Sequence, residues 1–451
     1  MGIALLAMAG VLLATRHSSA PARHKHVSAG REGVSRSGTR SRGSARKPAA
    51  LVWRVAWGSP MAWAQPGVIA SDTTVRELST VALGGKAVKV RISNLFGDAP
   101  LVVGAATVAL SSGGGAIIAS TLKRLAFDRR PSITIPVGRV AYSDATRLTV
   151  AGGQTLAVSV YVRDSDLVTL HPYGNLGAVS FFAGNGSGNQ VDSVTGTAFP
   201  NPSPWPRWVD AVDVLEPRGQ GSIVVLGDSI TDGYNTTLRW TDLLQKRIDG
   251  LPVAQRRAII NEGITANALS PLPGDDSKTG GGPAGLSRLQ TDALGQPGVS
   301  YLVLFLGTND LFFGDGAGHV IAAMRSAIAR AHRAGIKIVG VTLLPRQGSE
   351  RWDPQQYPNH QPFLEQIDHW ILTSHAFDGV LDFAHALADT YDGQCNPIAM
   401  YPSYDSGDHL HPNAAGQTAM ANAVDTRLFD LRQAPQLPPL VAVTPTPGCR
   451  G

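Results

Sequence analysis

Apolar positions follow two rhythms along this chain. From Leu51 to about Arg218 they come in short alternating or β-branched runs, among them Ala87–Ile92, Leu101–Val108, Ser132–Ile135 and Leu156–Val162. Turn residues such as Asn94-Leu95-Phe96-Gly97 and Pro136-Val137-Gly138 divide the runs, and no amphipathic helical pattern intervenes. Strands at this spacing predict an antiparallel β-sandwich, jelly-roll-like, over 51–218. Near its end the Pro-rich stretch Asn201–Pro206 reads as a stiff connector.

Beyond Gly221 the rhythm becomes strand-helix alternation. Strands are predicted at Ile223–Leu226, Ala258–Asn261, Tyr301–Leu306, Ile336–Leu343 and Val380–Phe383. Helices are predicted at Trp240–Ile248, Gly318–Ala334, Pro362–Thr373 and Pro412–Leu428; in the second of these Val320, Ile321, Met324 and Ile328 share a face. The all-apolar strand Leu302–Leu306 must be covered on both sides, which means a parallel sheet between two layers of helices. The fold class is therefore α/β: a doubly wound, flavodoxin-like parallel sheet over 219–432, preceded by the β-sandwich. Sites in such sheets lie beyond the carboxyl ends of the strands.

The ends of the chain read differently. Ile3–Ala14 is an apolar run of the length of an export-signal core and too short to span a bilayer, so it is expected to be cleaved on export or kept as a short anchor. Either way the protein is expected to be secreted or periplasmic. Residues 15–50 carry nine Lys/Arg against the single acid Glu32, which is +8 of the chain's net +5 and leaves −3 for the remainder. A mildly acidic folded part gives no support to nucleic-acid binding. The basic segment reads as a disordered linker able to touch an anionic surface, and 433–451 as a Pro-rich tail. Cys395 and Cys449 are the two cysteines, with no CxxC pair, so a thiol-metal site is excluded and a disulfide between them is open.

The chemistry gathers at the predicted strand ends. Gly227-Asp228-Ser229-Ile230-Thr231-Asp232-Gly233 follows the first strand and puts Ser229 at the mouth of a helix. Acyl transfer through serine needs a base, an orienter for the base and donors for the oxyanion. His411 is the candidate base and Asp408, three residues earlier, its orienter. Asn309 can place a side-chain N–H at the oxyanion beside the backbone N–H of Ser229 and one from the loop after the second strand. No GxSxG elbow occurs. Taken alone, Ser229 could be a helix cap; with His411, Asp408 and Asn309 in register it reads as a nucleophile. His409-Leu410-His411 has metal-like spacing without a third ligand, so no metal is expected, nor any cofactor. Asp232 and Asp310 read as local turn and capping groups, and Gly280–Gly285 as a flexible loop.

Four runs, Gly227–Gly233, Asn261–Asn267, Gly307–Asp310 and Asp408–Asn413, resemble blocks I, II, III and V of the SGNH (GDSL-type) hydrolases in residues, order and separation, over about 219–430. The resemblance implies Ser229 as nucleophile, His411 as base, Asp408 as its partner, and an oxyanion hole of Ser229, Asn309 and the second glycine of N-x-G-x-x-G. That glycine is replaced here by Ala266, which keeps the backbone N–H but resists the positive φ that glycine permits. The β-region in front is similar to the arrangement in two-domain members of this family, among them carbohydrate esterases.

For substrate, aromatics cluster in the predicted rim loops: Tyr234, Phe312, Phe313, Trp352, Tyr357, Tyr401 and Tyr404. Such rings stack on sugars or cap a core. No long apolar flap suggests a lipid lid. The expected activity is hydrolysis of short acyl esters, chiefly acetyl, on a small molecule or polysaccharide. The alternatives are acyl transfer to a sugar hydroxyl, a lipolytic esterase, and a non-catalytic carbohydrate-binding protein. Oligomeric state is not legible.

Overall fold

Alternation builds the first half of the molecule. In the computed structural model, which describes residues 50–64, 70–165, 167–172, 179–217, 221–234, 236–271 and 281–430, the strand Thr155–Ser165 turns Leu156, Val158, Val160 and Val162 into one apolar core. Val88, Val90 and Ile92 of the strand Val88–Asn94 enter the same core, as do Val212 and Val214 of Val209–Pro217. Burying each such side chain contributes roughly 1.5–3 kcal/mol. Two antiparallel sheets supply these faces, giving the expected sandwich. One has four strands in the order Leu51–Gly58, Val209–Pro217, Val88–Asn94, Arg139–Tyr142; the larger is centred on Ala70–Thr80, Thr155–Ser165 and Leu101–Gly113.

Asn201–Pro206 is not simply a connector. Asn201–Ser203 pairs antiparallel with Ser180–Phe182 as an edge strand. Pro202 is tolerated there because an edge strand leaves one side of its ladder open.

Five parallel strands follow, in the spatial order Ile259–Gly263, Ser222–Gly227, Val299–Phe305, Lys337–Val341, Gly379–Leu381. Their all-apolar runs have a direct cause. Val224, Leu226, Leu302 and Leu304 face one core with Val320, Met324 and Ile328 of the helix Ala317–Arg333. Their neighbours Ile223, Val225, Val303 and Phe305 face the opposite core with Trp240, Leu244 and Ile248 of the helix Trp240–Asp249. The chain's first strand of this sheet lies between its second and third, so connections leave it in opposite directions and open a crevice at its carboxyl end. Gly227 ends that strand and Ser229 stands just beyond it.

The last predicted helix is shorter than expected. It runs Ala414–Ala423 and is followed by a separate turn, Thr426–Phe429. The Asn413 carboxamide oxygen accepts from the N–H groups of Ala415 and Gly416, which fixes the start after Pro412.

The sandwich and the parallel sheet are packed together. Val55 N–H donates to Pro297 O at 2.9 Å, and Ser222 Oγ donates to Val55 O at 2.8 Å. Arg91 reaches from the sandwich to Thr291 O at 2.9 Å while bonded to Asp210 at 2.6 Å. Gly58 lies so close to the edge strand of the parallel sheet that a Cβ there would sit 2.3 Å from Glu262 Oε1. The sandwich thereby covers an edge that would otherwise be open to pairing.

Among the described residues no helix is long and apolar enough to cross a membrane. The Ile3–Ala14 run, the basic linker up to 49 and the tail 433–451 lie outside the described residues. Cys395 is disulfide-bonded; Cys449 also lies outside them.

Candidate active site

Ser229 and Asn309 stand on strand-to-helix junctions of the parallel sheet, and Asp408 and His411 on the loop before the last helix. After the strand Ser222–Gly227, Asp228 caps the short helix Ser229–Asp232 by accepting from Ile230 N–H at 3.0 Å. Gly233, at φ 95°, ends that helix in the left-handed region. Burial pushes the Asp228 carboxyl up to about 6, against the pull of the Ile230 N–H, His411 and Arg346. Ser229 is 6% exposed, so its hydroxyl is held at the edge of solvent.

Ser229 Oγ lies 2.8 Å from His411 Nε2, and His411 Nδ1 lies 2.6 Å from Asp408 Oδ2. A carboxylate at Nδ1 fixes the proton there and leaves the Nε2 lone pair facing the hydroxyl. The other Asp408 oxygen accepts from the N–H groups of Leu410 and His411 at 3.0 and 2.8 Å, so one carboxylate shapes the loop and orients the ring. Partial burial works to raise the Asp408 carboxyl, but the ring and backbone hydrogen bonds outweigh it and hold it well below the usual carboxylate range.

Asn309 lies on the helix Thr308–Phe312, and its side-chain N–H₂ donates to Asn267 O at 3.0 Å. An amide has two such hydrogens, so one is left over. Ala266 adopts φ 59°, the left-handed conformation that alanine resists. Holding a non-glycine residue there costs on the order of 1–3 kcal/mol, which neighbouring contacts must offset. Among the described residues neither the Ser229 N–H nor the Ala266 N–H has an acceptor. The loop carrying Ala266 is fastened to the nucleophile's strand by Ile264 N–H to Gly227 O at 3.1 Å.

The arrangement is that of a hydroxyl with a base, a base with an orienter, and an amide donor bonded to the loop that carries Ala266. Residues 225–419 match the GDSL-like lipase/acylhydrolase family. That stretch is a GDSL-like hydrolase domain. Its class of reaction is hydrolysis of carboxylic esters. No curated protein matches the chain. Solved structures similar to it include the aryl esterase of M. smegmatis, at 16% identity over 45% of this chain and 95% of that one with a TM-score of 0.34. Another is the acetylxylan esterase Axe2 of Geobacillus stearothermophilus, at 16% identity over 47% and 95% with a TM-score of 0.35. A third is a lipolytic protein of the G-D-S-L family from Desulfitobacterium hafniense, at 18% identity over 46% and 99% with a TM-score of 0.33.

Several residues of the GDSL-like domain do something other than their sequence context suggests. Asp310 is not a local turn group: it accepts from the N–H groups of Leu269 and Ser270 and from Ser270 Oγ, all within 2.9 Å and about forty residues distant. Asp232 likewise reaches beyond its own turn, to Thr265 and to His171 of the sandwich. Gly281 belongs to no loose loop, since a Cβ there would fall 1.6 Å from Thr265 O. His409 takes φ 60° and pairs with Asp405 at 2.7 Å; among the described residues no group of three or more ligands could hold a metal.

The rim aromatics divide. Tyr234 is 43% exposed and packs its ring 4.8 Å from that of His411. Trp352 is buried beneath Arg346, whose guanidinium sits 4.3 Å from the ring. Arg346 and Arg288 carried no signal in the sequence, where each is one arginine among many. Arg288 joins Gly227 O, Glu262 O and Asn267 Oδ1 at 2.8–3.1 Å, clamping two strand ends to the Ala266 loop. Arg346 is pushed down to about 10 by burial, opposed by Asp228 and Asp408, and donates to Thr308 O at 3.2 Å.

Proposed function

We propose that this protein is an exported serine esterase that removes short acyl groups, chiefly acetyl, from carbohydrate. The observation that carries the mechanism is the hydrogen-bond chain from Ser229 Oγ through His411 to Asp408, 2.8 and 2.6 Å long. His411 Nε2 takes the Ser229 proton as Oγ attacks the ester carbonyl carbon, and Asp408 stabilises the imidazolium. The oxyanion is met by the Ser229 and Ala266 N–H groups and the spare Asn309 amide hydrogen. His411 then returns its proton to the departing alcohol. Water, activated by the same imidazole, releases the acid from the acyl-enzyme and restores Ser229.

Removing one oxyanion donor costs on the order of 10²–10³ in kcat. Asn309→Ala is therefore expected to lose about that much kcat on p-nitrophenyl acetate with little change in KM. A loss below threefold in the folded protein would take Asn309 out of the oxyanion site.

Short-acyl preference is supported by what the site loops expose. The large exposed aliphatics among the described residues are Leu51, Ile118, Val137 and Val194 in the sandwich and Val253 in the turn Val253–Gln255. Among the described residues none is on the four site loops, where Tyr234 is the exposed ring and Phe312 and Phe313 are half-buried, so those loops offer little apolar surface to a lipid chain. The Tyr234 ring beside His411 suits a sugar face. A p-nitrophenyl ester series from acetate to octanoate, run beside an acetylated polysaccharide, tests this reading. The expected result is kcat/KM highest for acetate and at least about tenfold lower for octanoate, since a chain without an apolar groove gains nothing from burial. Activity rising with chain length would overturn it in favour of a lipolytic esterase.

A further inference from the structure

Ala266 holds a left-handed backbone that nothing in its own side chain favours. Part of what fastens it reaches back to the sandwich, outside the hydrolase domain. Thr265, the preceding residue, donates to Asp232 Oδ2 through its N–H at 3.1 Å and its hydroxyl at 2.7 Å. The other oxygen, Asp232 Oδ1, meets His171 Nε2 at 3.0 Å, and His171 Nδ1 meets Pro60 O at 2.9 Å. Both ring nitrogens thus face acceptors. His171 and Asp232 are 5% and 3% exposed, so water does not compete for these bonds.

The sandwich in turn fixes His171. Its N–H donates to Pro206 O, and Ala62 N–H donates to Leu170 O, each at 3.1 Å. The same segment presses on the far side of the loop: a Cβ on Gly282 would lie 2.9 Å from Ala62 O, and Gly281 is packed against Thr265 O. Asp232 is three residues from Ser229 on one helix, so a single carboxylate joins the sandwich, the nucleophile's helix and the oxyanion loop.

From this geometry we propose that the β-sandwich is a working part of the esterase site: His171 is a positioning residue that, through Asp232 and Thr265, holds the Ala266 N–H in place to receive the oxyanion. A domain serving only to bind polysaccharide would not need a buried contact with the carboxylate that holds Thr265, the residue next to the oxyanion donor. The inference rests on the serine-esterase reading above. It places the sandwich's effect in the turnover of even the smallest ester, which no accessory surface can touch.

The test uses the full chain with p-nitrophenyl acetate, and counts competent sites by titration with a fluorophosphonate so that kcat is per reactive Ser229. His171→Ala is expected to lower kcat about ten- to a hundredfold, as small misplacements at a reacting centre do, with KM within about twofold. A phenylboronic acid, which forms a tetrahedral adduct on the serine, should weaken in parallel with kcat. His171→Gln, whose amide can still donate to Asp232, should recover most of the loss. Thr265→Val removes the hydroxyl bond to Asp232 and keeps the N–H bond, without touching the sandwich, and should show the same split at a smaller size. Unchanged kcat per titrated site in His171→Ala, or a loss only in the number of titrated sites, would overturn the proposal. If His171→Ala does not fold, normal turnover in Thr265→Val overturns it alone. Should Ser229→Ala match the wild type, the esterase reading fails; if only Ser229→Ala is inactive, the coupling fails and the esterase stands.

Discussion

Ser229→Ala is expected to lower kcat on p-nitrophenyl acetate by on the order of 10⁴–10⁶ while the protein stays folded. The size of the loss follows from what the hydroxyl does: without it no acyl-enzyme forms, and His411 has no proton to take. Any residual rate comes from water attacking an ester held by the oxyanion donors. The fold should tolerate the change, because Ser229 Oγ is bonded to His411 and to no backbone group that shapes the helix; Asp228 caps that helix instead. Turnover and fluorophosphonate labelling, read beside the melting curve, check it. Equal activity in the two proteins would remove Ser229 as nucleophile and the mechanism with it.

The two rhythms of apolar residues were legible because each is set by how many faces of a strand are covered. Leu156, Val158, Val160 and Val162 alternate since one face of their strand meets the core, while Leu302–Phe305 run unbroken since both faces do. The residues brought together at the sheet's crevice could be named in advance for a similar reason. Ser229 and Asn309 follow strand ends and Asp408 and His411 precede the last helix, each in a short polar motif, and a doubly wound sheet has one place to collect strand ends. What escaped the sequence are contacts set by three-dimensional closure. Asp232 and Asp310 look like turn residues because local spacing shows only local partners. Their real partners, His171, Thr265, Leu269 and Ser270, are thirty to sixty residues away. Arg288 is invisible for the same reason: its value lies in three acceptors that the fold assembles around it. Ala266 was the informative departure, since an alanine at φ 59° requires constraint from its neighbours, and Gly227, Asp232 and Arg288 hold the residues on either side of it.

Asp408→Asn should cost about 10³–10⁴ in kcat, nearly as much as losing the nucleophile, though it changes one atom. The argument is about which nitrogen of His411 carries the proton. Asp408 Oδ2 accepts from Nδ1, which leaves Nε2 free to act as base toward Ser229. An asparagine can keep the bonds from the Leu410 and His411 N–H groups by placing its carbonyl where Oδ1 was. Its amide then faces Nδ1 and donates to it, so the ring's proton moves to Nε2 and the base is lost. Loop and substrate contacts survive, so KM should hold, while the melting temperature falls only by the share of stability that the charged carboxylate supplied. Asp408→Ala separates the two roles: it removes the backbone bonds as well, and should match the asparagine variant in kcat while lowering the melting temperature. Because the Asp408 carboxyl is held well below its ordinary range, its contribution to stability is present above about pH 4 and is lost only as pH falls through the depressed value. The wild-type acid limb between pH 5 and 8 therefore should not report Asp408. A kcat for Asp408→Asn within tenfold of wild type would mean that His411 keeps its working tautomer without the carboxylate, and that Asp408 serves the loop alone.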